Sequence, residues 1–169
     1  VKKVFDISQT DAKRQRQPQV HYDDRLLLSA LIAKRPVPIE MADSVQNGAV
    51  YDYERKTIFV QRGMDGQDLF RSVSLALARA EMAQQENSTP QADAFKSYCV
   101  SYMLCRKYGV DTQGYDFSRL PDELKNAEPQ TIRGELTDIR DTLQTMTGKM
   151  VRTLEQSRTA AQKETGKER

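Results

Sequence analysis

Few side chains in this sequence have types and spacings suited to chemistry. The one histidine is His21, and the two cysteines are Cys99 and Cys105. Six residues apart on one helix, the thiols point about 120° apart around its axis. An intrahelical disulfide is therefore not expected, and two reduced core thiols are. Ser72 and Ser74 would need a nearby base to act as nucleophiles, and no histidine follows them in the chain. Glu81, Glu86 and Asp93 make no carboxylate pair that spacing alone can place. The sequence has no Walker loop, no GxGxxG and no CxxC. Side chains of this kind build no ordinary histidine-based zinc site.

The elements that must position these residues can be read from hydrophobic period and turn residues. Val4-Phe5-Asp6-Ile7 reads as a short edge strand, and residues 10–22 as a polar loop containing Pro18. Asp24 is a candidate cap for a helix with Leu26, Leu27, Leu28, Leu31 and Ile32 as its apolar stripe. Pro36 and Pro38 end it and open an extended stretch from Val37 to Met41. Ala49 to Tyr53 and Thr57 to Val60 are β-prone runs joined by Glu54-Arg55-Lys56, a hairpin pattern. A helix follows from about Asp68, with Leu69, Val73, Ala76, Leu77 and Ala80 as its stripe; its alanines predict a central position. Pro90 begins the next helix, which Gly109 closes, with Phe95, Cys99, Tyr102, Met103 and Arg106 along one side. Val110 to Leu124 reads as a loop tied down by Tyr115 and Phe117, holding at most a short helical turn. After Pro129 comes the clearest helix, with Ile132, Leu136, Ile139, Leu143, Met146, Met150 and Leu154 recurring at threes and fours.

Length and composition fit one domain with a real core. The chain has 169 residues, 38% of them apolar and 30% charged, with a formal charge of +2. So small a net charge points to no particular partner. No apolar run is long enough to span a membrane. The opening Val1-Lys2-Lys3-Val4-Phe5 turns polar too soon for a signal peptide, and it lacks an initiator Met, as the cut end of a longer chain would. The expectation is a single α+β domain over residues 1–155, with a short antiparallel sheet packed on three or four helices. The loop 10–22 belongs to an N-terminal extension, and residues 156–169 form a frayed polar tail.

The order hairpin, helix, break, helix carries a resemblance. Tyr51-Asp52-Tyr53, Lys56 to Val60, and Leu69-Phe70-Arg71-Ser72-Val73 resemble the approach to the active helix of zincin-like metallopeptidases. The similar group is the antirestriction ArdC C-terminal domain and the ImmA/IrrE-type peptidases. Ser101 to Asp111 resembles their second helix. In that family HExxH sets two histidines one turn apart to grip zinc, and the glutamate takes a proton from the bound water. Laid on this sequence, the first histidine falls at Leu75, the glutamate at Ala76 and the second histidine at Arg79. The third ligand falls at Tyr98, or at Asp93 or Lys96 after a small shift. Leucine offers no lone pair, alanine accepts no proton, and arginine keeps a charge that repels a cation.

The resemblance thus implies a degenerate scaffold with no bound metal and no cofactor. Arg79 is expected to fill the old site by pairing with Glu81, Asp93 or Asp116, or else to bind an anion. The expected function is a pseudo-metallopeptidase module, a cytoplasmic support or protein-interaction domain of a larger bacterial mobile-element protein. Two alternatives stand beside it. One is nucleic-acid association through Arg14, Arg16, Arg62, Arg79 and the basic end from Lys163 to Arg169. The other is an enzyme with a repurposed non-metal site. Protein partners or neighbouring domains are expected, and residues 131–155 are a candidate surface for pairing with a second copy.

Overall fold

The computed structural model describes residues 22–85, 88–119 and 121–165, with side chains as far as residue 158. The expected strand at Val4–Ile7, most of the 10–22 loop, His21, Arg14, Arg16 and the side chains of the basic end lie outside those residues. Helix α1 spans Asp24–Ile32, and Asp23, one residue before the expected cap, accepts from the Arg25 and Leu26 amides. Strand β1 is Ile39–Ala42. After a short 3-10 turn at Gln46–Gly48 come β2, Ala49–Asp52, and β3, Thr57–Gln61. The β2–β3 hairpin stands where the two β-prone runs predict it. Asp52 accepts from the Glu54 and Arg55 amides at 2.9 Å, which folds the polar turn on itself.

The sheet is mixed, where an antiparallel one was expected. Strand order is β1-β3-β2, with β2 antiparallel and β1 parallel to the central β3. The hairpin signal concerned β2 and β3 only. The extended stretch after the prolines joins the far side of β3 in the same direction, where the Ile58 amide donates to the Pro38 carbonyl at 2.9 Å. Ala49, Tyr51, Ile58 and Val60 face the core, while Val50 on the other face is exposed, the alternation a half-covered sheet requires.

Helix α2, Gly66–Met82, starts at Asp65, which accepts from the Gln67 and Asp68 amides at 2.9 Å. It is buried on most sides: Phe70, Val73, Ser74, Ala76, Leu77, Ala78, Ala80 and Met82 are all covered. Sheet, α1, α3 and α5 surround it, and its small residues allow that close approach. Helix α3, Pro90–Tyr108, has Thr89 as its cap, Pro90 in its first turn and Gly109 in the left-handed conformation at φ 74° as its stop. Its buried side corrects the expected stripe. Asp93, Lys96, Ser97, Val100, Ser101, Leu104, Cys105 and Tyr108 face inward, while Tyr102, Met103 and Cys99 are half-buried and Arg106 is exposed. A stripe picked by aromatic content selected the wrong side, because half of the inner side is polar.

A single turn, α4 at Asp122–Lys125, precedes the long α5, Pro129–Thr165. Thirty-seven residues make α5 about 55 Å long. It runs on past Glu155, where a frayed tail was expected. Ile139, Met146, Met150 and Leu154 are buried against the domain, and α5 packs on α1, α2 and α3. Among the described residues no helix is long and apolar enough to cross a membrane.

Two glycines set a comparison. Gly48 and Gly63 both hold left-handed backbone, at φ 79° and 78°. A Cβ at Gly48 would lie 2.7 Å from Met64 Sδ and 2.9 Å from Ser72 Oγ, whereas at Gly63 it would meet nothing within 4 Å. Gly63→Ala is expected to cost about 1–2 kcal/mol from backbone strain alone. Gly48→Ala should cost about 1–3 kcal/mol more, through overpacking. Urea unfolding of the two variants side by side measures the difference.

Candidate functional site

The α2–α3 seam is where the resemblance places its lost ligands. Leu75 is half-buried and Ala76 is 1% exposed. Arg79 Nε donates to Ser97 Oγ at 3.4 Å. Among the described residues no carboxylate lies within ion-pairing distance of Arg79, and the expected partners are engaged elsewhere. Glu81 holds Lys149 on α5. Asp93 accepts from Ser88 and Tyr53. Asp116 accepts from the Ser118 amide at 2.8 Å, which lowers its pKa. Tyr98 faces away from the seam: its hydroxyl accepts from the Asp116 amide at 2.7 Å, and its ring lies against Tyr115 and Phe117. One residue is about 100° of helix, so the side chain that meets Arg79 is Ser97. Of the alternatives a small shift away, Asp93 and Lys96 do point inward.

Those two residues anchor a buried charge cluster. Asp93 is 2% exposed. Tyr53 donates to its Oδ2 at 3.3 Å, Ser88 Oγ donates to the same oxygen, and Lys96 Nζ stands 3.9 Å from Oδ1. Lys96 also reaches across to α5, 2.9 Å from Asp138 and 3.8 Å from Glu135. Burial alone would lower the Lys96 pKa, but the hydrogen bond to Asp138 and the charges of Glu135, Asp138 and Asp93 raise it. Burial, then the Asp93 charge, push the Tyr53 phenol upward. It stays neutral and donates a hydrogen bond, so it is no base. A buried lysine facing three carboxylates ties α3 to α5.

Further along the seam a chain of hydroxyls replaces apolar packing. Ser74 Oγ and Ser101 Oγ are 2.6 Å apart, and Ser101 Oγ lies 2.6 Å from the Tyr115 hydroxyl. The Arg71 carbonyl lies 2.9 Å from Ser74 Oγ and 3.2 Å from Ser101 Oγ, and with one proton on each hydroxyl it accepts from one serine while the other donates within the pair. Cys105 Sγ is 3.5 Å from the Tyr115 hydroxyl. Arg71 pairs with Asp68 and holds the Asp111 carbonyl at 3.0 Å. The network clamps the loop after Gly109 onto α2 and α3. Neither serine has a base beside it, and both are fully covered. Burial raises both cysteine thiols, so neither is a poised thiolate.

The loop aromatics form a second tie. Tyr98, Tyr102, Tyr115 and Phe117 pack with ring centroids 4.9–5.4 Å apart, and Phe95 meets Phe117 at 6.5 Å. Phe117 remains 42% exposed. Of the arginines named for a basic face, exposed Arg62 stands 3.5 Å from Asp43 and Arg79 bonds Ser97, and the others lie outside the described residues. Sequence reading missed Ser97 and Ser101 as interior polar residues, and the hydrogen bond of half-buried Tyr53 to Asp93. For the two serines the only signal was their spacing on the side of α3 opposite its aromatics. Among the described residues no group of three or more histidine, cysteine or carboxylate side chains is placed to hold a metal. No protein-family model matches the chain, and neither a curated protein nor a solved structure does. The zincin-like resemblance therefore rests on the residues quoted for it.

Two expectations follow from the seam. Ser101→Ala leaves Ser74 and Tyr115 each a partner short in a buried place and should cost about 1–3 kcal/mol, measured by urea unfolding. Lys96→Met should cost about 3 kcal/mol, the low end for a broken buried pair, since Glu135 and Asp138 keep 31% and 36% exposure. The raised Lys96 pKa means its contribution is complete below the unfolded lysine value of about 10.4 and is lost as pH rises through the folded one. Melting temperature against pH should fall above about pH 10 in the native chain, and that step should shrink in Lys96→Met.

Proposed function

We propose that this chain is a metal-free, non-catalytic domain related in form to the zincin-like peptidases. In this reading it serves in the cytoplasm as a support or protein-interaction module of a larger mobile-element protein. One observation carries the reading. The three α2 positions matched to HExxH hold a half-buried leucine, an alanine that is 1% exposed and an arginine bonded to Ser97. A zinc ion there would meet hydrocarbon and a fixed positive charge, with no carboxylate to activate water. The polar groups around these positions bond to one another and hold the helices together: Asp93 with Lys96, Ser88 and Tyr53, and Ser74 with Ser101. Groups committed in this way rigidify a scaffold.

Zinc titration by calorimetry and hydrolysis of a quenched casein substrate test the reading. The expected result is no stoichiometric zinc and no metal-dependent cleavage. One zinc per chain, with cleavage abolished by a chelator, would overturn it.

A further inference from the structure

We draw no further inference here: the strongest candidate, the aromatic patch that Phe95, Tyr98, Tyr102, Tyr115 and Phe117 form where the loop after Gly109 meets the outer face of α3, leaves Phe117 42% exposed while its other rings are half-buried against one another, and nothing in the structure shows what covers it.

Discussion

The polar groups buried along the α2–α3 seam have no access to water, and the rest of this structure depends on how that constraint is met. Sheet, α1, α3 and α5 all lean on α2. Such a helix is stable only if each hydroxyl or charge it meets finds a partner inside the protein. The seam with α3 supplies those partners in two groups. At one end the serine–tyrosine chain binds the loop after Gly109 to both helices. At the other, Asp93 and Lys96 connect the β2–β3 hairpin, through Tyr53, to α5 through Asp138. A hydrocarbon seam would have been as stable or more so. The polar one fixes a single relative register of α2, α3 and α5.

That arrangement also bears on function. Buried polar clusters draw attention as active sites, and several pKa values here are displaced. The direction of each displacement argues otherwise. The Tyr53 and Tyr115 phenols are raised by burial, and the Tyr108 phenol is pushed up to about 12 for the same reason. The two thiols rise with them. Raised phenols and thiols stay protonated at neutral pH, as neither bases nor nucleophiles. The seam thus has the chemistry of a fastener.

Much of the fold was legible in the sequence, for reasons that differ by element. The hairpin followed from two β-prone runs around a short polar turn. Pro90 and Gly109 bounded α3, because a first-turn proline and left-handed backbone at the stop are local needs that particular residues meet. The parallel pairing of β1 was not legible, since strand order depends on where a distant segment finds an open edge. Nor was the inward face of α3. Hydrophobic period selects the greasier side of a helix, and here that side meets the loop aromatics while the serines, Asp93 and Lys96 turn in. Arg79 was expected to face an acid, and its partner is Ser97, one residue from the position taken for the third ligand.

The sequence by itself determined the local and the periodic: where helices start and stop, which segments pair as a hairpin, that α5 carries a seam, and that no HExxH site can be assembled from Leu75, Ala76 and Arg79. Those properties reside in side-chain type and spacing along one strand or one helix turn. Only the tertiary structure decided that Lys96 is buried among three carboxylates, that Tyr98 turns to the loop, and that the α5 seam outlasts its support at Ile132 and Leu136. Each depends on which surfaces lie opposite one another, and a rotation of one residue about a helix axis, too small to mark in sequence, decides between core and solvent.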